Sequence, residues 1–415
     1  MLGASTYAFL AVSARAVGPV RFASLSILWV LVYTAGPGLF LPLEQETGRA
    51  VAARRARGVG AAPVVRHTAA FGGGLLGVLG LAVAGAHRPL LSTLFDGDVL
   101  LLTGLLLSIL GVGAASLYRG ILAGTGQFRR YGGQLALEGG LRVAGCALLA
   151  TAAVHTAGPY GVLIGIAPIL AVLVLSVRAP TALLEPGPPA SFAEMSGALT
   201  LLLSGSLLSQ ALVNAGPVLV QVLATGGQRR LAGQFLAGLI VARVPLFLFT
   251  AIQAALLPGL AALASAGRYV ELWAGLRRTT TLVAGLAAAG SVGAFLVGPM
   301  IVRLFFGAAY GLGRLDLLYL AAASGAYMLA VVFAQGLIAL HGHGLAAAGW
   351  LIGVVVHLVV TAVATGLLVR VELGFLAGAA TAAGILAVLL RRRCADRLRG
   401  RAASPLARRS GSMLS

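Results

Sequence analysis

Four polar side chains follow one another along an otherwise apolar stretch of the sequence. Ser206, Gln210, Asn214 and Gln221 stand at offsets of 0, 4, 8 and 15 positions, which puts them on one face of a helix, with Pro217 on the same side. Amide groups without a partner are costly in apolar surroundings, so this face must contact protein or a water-filled cavity. Two interpretations stay open: a polar wall that binds a substrate, or hydrogen bonds that join neighbouring helices.

A second apolar stretch carries a single charge at its centre. Arg243 lies in the middle of residues 232–254, and no acidic residue is within one helical turn. A guanidinium at the centre of a membrane costs at least about 2.5–3.5 kcal/mol, so it needs an anionic partner or a wet cavity. Its planar fork suits phosphate, because it can hold two oxygens at once. The alternatives are an acid from another helix or extension of the side chain towards the membrane interface.

Glu138 and Arg142 form the third candidate group. Their i, i+4 spacing with the acid first is the favourable order for a pair within one helix. The pair either neutralises itself within the helix or lines a cavity and takes part in coupling, and both interpretations remain open.

The remaining motifs favour structural roles. Asp96 and Asp98 resemble the acidic pairs with which membrane glycosyltransferases bind metal and sugar phosphate, but their position before a helix favours an N-terminal cap. Cys146 and Cys394 are too few and too far apart for a metal site or a disulfide framework. We therefore expect neither a metal nor a cofactor.

The composition sets the environment in which these residues act. Hydrophobic residues make up 59% of the 415 positions and charged residues only 10%, and the mean hydropathy is +0.98. A soluble globule carries about 25% charged residues. This contrast excludes a soluble enzyme, a nucleic-acid-binding domain and a disordered regulator. A polytopic membrane protein remains.

The apolar runs predict about twelve transmembrane helices. A bilayer core of about 30 Å needs about 20 apolar helical residues. The runs are too long for the strands of a β-barrel, and they do not alternate with period two. The predicted spans are 1–17, 22–43, 67–86, 98–118, 134–154, 161–177, 196–223, 232–254, 279–305, 317–337, 345–368 and 374–390.

The Arg residues predict the orientation. With the N-terminus inside, twenty of the thirty Arg residues fall in cytoplasmic segments and eight in outer segments. Both termini are therefore predicted to be cytoplasmic, in a multi-pass protein of the cytoplasmic membrane. The net charge of +19 is explained by topology and anionic lipid headgroups, and no nucleic-acid partner is needed.

Prolines divide the chain into two halves. Pro180, Pro186, Pro188 and Pro189 mark a connection between two sets of six spans. The predicted organisation is an N-terminal six-helix bundle at 1–178, a cytoplasmic linker at 179–195, a C-terminal six-helix bundle at 196–390 and a basic, disordered cytoplasmic tail at 391–415.

The two halves contain a weak repeat. A shift of 208 positions matches four pairs of residues: Gly18 with Gly226, Arg21 with Arg229, Pro37 with Pro245 and Gln45 with Gln253. Each copy consists of a helix, a Gly-Arg turn and a helix broken by proline. An offset of six spans gives the copies the same orientation, related by an axis along the membrane normal.

Three segments resemble the bacterial polysaccharide exporters of the multidrug/oligosaccharidyl-lipid/polysaccharide flippase superfamily. They are GPGLFLPLEQE at 36–46 followed by Arg49, GTGQFRRY at 124–131 leading to Glu138 and Arg142, and the segment from Pro245 to Pro258. The resemblance implies two six-helix bundles in a V, with spans one, two, seven and eight around a central cavity. It places six substrate-binding candidates there: Arg243, Asn214, Gln210, Gln221, Gln253 and Gln45.

The resemblance also implies a function. We expect a transporter, not an enzyme, that flips a lipid-linked oligosaccharide or polysaccharide precursor by alternating access. Such a substrate has an anionic head, a polar glycan and an apolar tail, which suit a guanidinium, an amide-lined face and a lipid-accessible groove. Expected partners are this glycan lipid, membrane lipids, and a polymerase and glycosyltransferases of cell-envelope synthesis, with the protein a monomer.

Two other functions stay open. A cation-coupled multidrug exporter has the same architecture, but it usually has an acid in its first or seventh span, and both spans lack one here. An integral-membrane glycosyltransferase would act through Asp96 or Asp98.

Overall fold

The computed structural model describes residues 2–176, 186–190 and 199–410. The described residues form helices and turns and contain no β-strand. The longer helices are α1 (Leu2–Ala35), α2 (Leu41–Ala56), α3 (Ala62–Gly85), α4 (Val99–Gly124), α5 (Phe128–Thr151), α6 (Ala157–Ser176), α7 (Leu199–Leu223), α8 (Arg230–Ala242), α9 (Val244–Ser265), α10 (Tyr269–Phe306), α11 (Arg314–Ala339), α12 (His343–Val363) and α13 (Leu367–Ser410).

The predicted spans coincide with these helices. Within the described ranges, nine helical segments are long and apolar enough to cross a membrane. One of them, Ser5–Ala56, contains the first two predicted spans. The fifth predicted span is α5, which carries four charged residues and is not among the nine. The chain is thus an all-helical, multi-pass membrane protein, as predicted.

Two breaks shape the first helical segment. Gly18 has a φ of 75°, a left-handed conformation that favours glycine, and it divides α1 at the predicted boundary between spans one and two. The second break is a π-helical turn, Gly36–Phe40, between α1 and α2. Pro37 lies in this turn, where its missing N–H interrupts the regular α-helical ladder.

A third break divides the predicted eighth span. Arg243 stands between α8 and α9 with a φ of −92° and a ψ of 3°. Pro245 follows at the second position of α9, where its missing N–H and fixed φ are tolerated. The chain therefore has two helices where an apolar run predicts one. The break lies next to Pro245, the residue that the repeat matches with Pro37.

The chain divides into two compact units. The N-terminal unit comprises Met1–Ala237 with Met300–Leu312, and the C-terminal unit comprises Gly238–Pro299 with Gly313–Ser415. In the N-terminal unit, α4 and α6 pack closely through glycine. A Cβ at Gly104 would lie 2.6 Å from the backbone of Gly161, and one at Gly165 would lie 2.5 Å from the Ser108 nitrogen.

The C-terminal unit is built around α13. Helices α11 and α12 both pack against it, and α9 packs against α11. Gly349 of α12 allows one close approach, because a Cβ there would meet Leu386 at 2.5 Å.

The predicted linker and tail lie partly outside the described residues. Of the linker, residues 186–190 are described, and the buried Arg54 guanidinium donates to the Pro188 carbonyl at 2.9 Å. Residues 179–185 and 191–195 are outside the described ranges, as are residues 411–415 of the tail. Helix α13 continues to Ser410, through residues that the sequence analysis predicts to be disordered.

Candidate functional site

Four charged side chains form a connected group inside the N-terminal unit. Glu44 comes from α2, Arg119 from α4, and Glu138 and Arg142 from α5. We call these four residues the charge cluster. Their side chains are between 3% and 14% exposed, with Arg142 the most buried and Arg119 the most accessible. The cluster contains two acids and two bases, so its formal charge is balanced.

Arg119 is the centre of the charge cluster. Its Nε lies 2.9 Å from Oε2 of Glu44, and its Nη1 lies 3.7 Å from Oε2 of Glu138. Its Nη2 donates to the Ser116 hydroxyl at 3.0 Å, and its Nη1 donates to the Gln134 carbonyl oxygen at 3.3 Å. Arg119 thereby joins α2, α4 and α5 through one guanidinium.

Glu44 and Glu138 each have a further donor. The Tyr131 hydroxyl donates to Oε1 of Glu44 at 2.7 Å, and the Gln134 amide donates to Oε2 of Glu138 at 3.0 Å. A buried carboxylate is tolerated when it is paired and hydrogen-bonded. Both acids meet this condition.

Arg142 connects the charge cluster to α1. Its Nη2 lies 2.6 Å from Oε1 of Glu138, so the predicted i, i+4 pair forms. Its Nη1 donates to the Tyr33 hydroxyl at 3.2 Å. The guanidinium also lies over the Trp29 ring, 5.9 Å from its centroid, in a cation–π arrangement. Trp29 and Tyr33 are stacked with their centroids 4.0 Å apart.

A cavity of about 170 Å³ opens beside the charge cluster. All four cluster residues line it, and its other walls are mainly apolar. Tyr33 and Ser116 are further polar lining residues. The apolar lining residues include Val32, Leu41, Val112 and Ile164. The cavity thus brings guanidinium groups, their carboxylate partners and hydrocarbon into the same space.

The polar face of α7 makes contacts within the same unit. The Ser206 hydroxyl donates to the Pro37 carbonyl at 2.9 Å, and the Asn214 amide donates to the Tyr33 carbonyl at 3.5 Å. Asn214 is buried and also donates to the Gln210 carbonyl oxygen at 3.2 Å. Gln210 is half-buried, and Gln221 is buried. The contacts of Ser206 and Asn214 are the interhelical hydrogen bonds of the second interpretation.

Pro37 explains why Asn214 of α7 donates to the Tyr33 carbonyl of α1. Pro37 has no N–H, so it cannot donate to the carbonyl of Tyr33 four residues earlier. Membrane helices with proline need other donors for such carbonyls, often from neighbouring helices. Asn214 supplies one.

The other predicted substrate-binding residues lie elsewhere. Arg243 is half-buried at the break between α8 and α9 of the C-terminal unit, and Gln253 is half-buried in α9 of that unit. Gln45 is exposed on α2, between the buried Glu44 and Glu46. The structure therefore brings Asn214 and Gln210 together, and Gln45 is not among the residues that line the cavity.

Glu44 and Arg119 are not among the site residues predicted from the sequence. The predicted fourth span ends at 118 and leaves Arg119 outside the membrane, whereas α4 continues to Gly124. Glu44 belongs to the segment 36–46, which predicts a family resemblance and no ion pair. Their ion pair joins positions 75 residues apart, so no local sequence pattern predicts it. The one indication in the sequence is that Glu44 is an acid at the end of an apolar run, two residues after Pro42.

Asp96 and Asp98, which precede α4, both make structural contacts. The Asp98 carboxylate accepts a hydrogen bond from the Leu100 N–H at 3.0 Å and caps α4, as the sequence predicts. Asp96 accepts a hydrogen bond from the Ser24 hydroxyl at 2.9 Å.

Comparisons with known proteins identify the fold. The sequence matches no family model. Uncharacterized proteins of Mycobacterium tuberculosis and Mycobacterium bovis are each 28% identical over 356 residues, which is 83% of this chain and 79% of theirs.

Solved structures of MATE family transporters are similar over nearly the whole chain. An inward-facing multidrug resistance MATE family transporter of the MOP superfamily has a TM-score of 0.76, with 15% identity and 96% of each chain covered. A MATE structure in a bent conformation has a TM-score of 0.67, with 14% identity and 97% and 94% coverage. A Vibrio cholerae MATE transporter has a TM-score of 0.65, with 14% identity and 96% and 98% coverage. The chain therefore has the two-bundle fold of MATE family transporters, while its narrower likeness to polysaccharide exporters stays a prediction.

Proposed function

We propose that this protein is an alternating-access transporter that flips a lipid-linked oligosaccharide across the cytoplasmic membrane. Its MATE-like fold supports a transporter, because all the solved structures named above are transporters. The more specific choice of cargo depends on the chemistry of the cavity in the N-terminal unit.

The cavity lining is the observation that carries this proposal. Arg119 and Arg142 reach the same cavity as Leu41, Val112 and Ile164. A cavity of about 170 Å³ is too small for a whole glycan lipid, but it suits the junction between a pyrophosphate head and its hydrocarbon tail, which needs both kinds of wall. Arg binds phosphate through paired N–H groups and is less strongly hydrated than Lys, which favours it in a partly buried site.

Glu44 and Glu138 form ion pairs with the two arginines of the cavity when no substrate is bound. Without substrate, Glu44 and Glu138 hold the guanidiniums in place, so no uncompensated charge remains in the membrane. A pyrophosphate can replace Glu44 on Arg119, the most accessible member of the cluster. Release of the anion restores the ion pair, which makes binding reversible.

A cation-coupled multidrug exporter is the second candidate. The absence of an acid from the first and seventh spans argues against it, but α2 and α5 supply Glu44 and Glu138 as buried carboxylates. A buried carboxylate inside a transporter can bind a proton or a cation. The similarity to multidrug resistance transporters also favours this candidate.

Reconstitution in vesicles separates the two functions. A fluorescent lipid-linked oligosaccharide is placed in both leaflets, and a membrane-impermeant quencher reports how fast the inner pool reaches the outside. The proposal predicts quenching of the whole pool with the protein and of the outer half alone in protein-free vesicles. Efflux of a cationic dye down an imposed proton or sodium gradient, without movement of the glycan lipid, would contradict it.

A further inference from the structure

A second cavity lies wholly within the C-terminal unit, between α10, α11 and α13. Its volume is about 240 Å³. Sites for drug-sized ligands usually measure about 300–1,000 Å³, so this cavity suits a headgroup and not a whole lipid. It has no part in the charge cluster described above.

The polar side of this cavity is cationic. Arg277 of α10 and Arg391 of α13 both line it, together with the hydroxyl-bearing Thr280 and Thr281. No Asp or Glu is among its described lining residues. Neither guanidinium has a hydrogen bond or ion pair to the part of the chain that the structure describes. The two guanidiniums and the Thr280 hydroxyl offer the donors that a phosphate monoanion accepts, whereas the Thr281 hydroxyl already donates to the Arg277 carbonyl at 3.1 Å.

The other lining residues of the cavity are apolar or aromatic. They include Leu276, Phe333 and Leu390, and Trp273 near the start of α10. Trp is enriched at the level of lipid headgroups, where its ring is half in the apolar phase. The cavity therefore offers cations and hydrocarbon side by side, the combination found at the headgroup–acyl boundary of a phospholipid.

The predicted topology puts this cavity at the cytoplasmic surface of the membrane. Arg277 and Arg391 both belong to segments predicted to be inside, and Arg391 directly follows the apolar part of α13. Anionic lipids are the abundant phosphate carriers at this surface, and basic pockets between membrane helices bind their headgroups. We propose that the cavity between α10, α11 and α13 binds the phosphate headgroup of an anionic phospholipid.

The test compares two pairs of neighbouring arginines. The purified full chain in neutral detergent is titrated with phosphatidylglycerol or phosphatidylcholine, and native mass spectrometry counts the bound lipid. Arg277→Gln/Arg391→Gln removes both lining cations, whereas Arg278→Gln/Arg392→Gln removes the same charge from adjacent positions that do not line the cavity. With about 1 kcal/mol for each basic residue, the first variant should bind phosphatidylglycerol about 30-fold more weakly. The second should bind like the unsubstituted chain.

A second variant keeps the charge and removes the space. Ala387→Leu adds volume at the cavity wall, and we expect it to lose phosphatidylglycerol while both arginines remain. Its elution as a monodisperse peak shows that the fold is intact. Equal losses in the two double-arginine variants would overturn the proposal in favour of diffuse surface charge. Equal binding of phosphatidylcholine would overturn it too, and so would full displacement of the lipid by inorganic phosphate at equal concentration, which would assign the site to a free anion.

Discussion

The hydroxyl of Tyr33 accepts a hydrogen bond from the Arg142 guanidinium at 3.2 Å. The carbonyl of the same Tyr33 accepts the Asn214 amide at 3.5 Å. Tyr33 thus joins the charge cluster of α2, α4 and α5 to the polar face of α7, on the helix that Pro37 breaks. The pairing of Arg142 is therefore connected through one residue to the segment that ends at the π-helical turn.

Removal of one acid from the charge cluster should destabilise the protein strongly. Glu138→Gln leaves Arg142 without its 2.6 Å partner in a site where that side chain is 3% exposed. Breaking a buried pair from one side costs about 3–5 kcal/mol. Denaturant unfolding in detergent, followed by tryptophan fluorescence, measures this free energy.

The control for this change is an exposed pair of similar spacing. Arg268 lies between α9 and α10, and Glu271 lies in the first turn of α10. Both side chains are more than half exposed. Glu271→Gln should change the free energy of unfolding by less than about 1 kcal/mol. Equal effects of the two substitutions would show that the charge cluster is as well hydrated as a surface pair.

The glycine contact between α4 and α6 should not accept a methyl group. Gly165→Ala puts a Cβ 2.5 Å from the backbone nitrogen of Ser108, so one helix must move. We expect a loss of about 1–3 kcal/mol in unfolding free energy, typical of overpacking. Gly140→Ala, in α5 with no atom within 4 Å of the added carbon, should be neutral or stabilising. If Gly140→Ala lowered the unfolding free energy as much as Gly165→Ala, the glycines would act through backbone flexibility and not through close packing of the helices.

The bonds from α7 to α1 should contribute modestly and independently. Ser206→Ala and Asn214→Ala each remove one interhelical hydrogen bond, and such bonds in membranes contribute about 0.6 kcal/mol on average and up to about 1.7 kcal/mol. Eight helical residues separate the two sites by about 12 Å, so the losses should add. A double variant that loses much more than the sum would show that the two residues act as one unit.

The sequence predicted the fold well because membrane helices leave a strong local pattern. The apolar runs became helices, although the eighth run became two. Gly18 marked a real break, and the spacing of Glu138 and Arg142 predicted an ion pair that forms. Asp98 became the predicted cap. These features depend on contacts within a few residues, which spacing can report.

The charge cluster was harder to predict because its contacts are long-range. Glu44 and Arg119 come from different helices, and each alone resembles a residue at a helix end. The face of α7 showed the opposite difficulty. Its periodicity correctly placed the polar residues on one face, but periodicity cannot distinguish a cavity from a neighbouring helix. The Tyr33 carbonyl that accepts the Asn214 amide is on another helix, so only the structure identifies it.

Arg243 and Gln253 remain the substrate-binding residues predicted for the C-terminal unit. Arg243 lies at the break between α8 and α9, where its side chain is half-buried. Arg243→Ala should preserve the fold and abolish glycan-lipid translocation in vesicles. Flipping at the unsubstituted rate, with normal elution in size-exclusion chromatography, would remove Arg243 from the site.

The role of Arg119 in moving a lipid-linked pyrophosphate is measured most directly by the initial flipping rate in reconstituted vesicles. Arg119→Gln removes the cavity's most accessible guanidinium, and Arg119→Lys retains the charge without the fork. Arg129→Gln, at an exposed position on α5, is the matched control. A charge-assisted hydrogen bond contributes about 1.5–3 kcal/mol, so Arg119→Gln should slow flipping about 10- to 100-fold and Arg119→Lys less, with Arg129→Gln unchanged. A correctly folded Arg119→Gln protein that flips the glycan lipid at the unsubstituted rate would contradict the account.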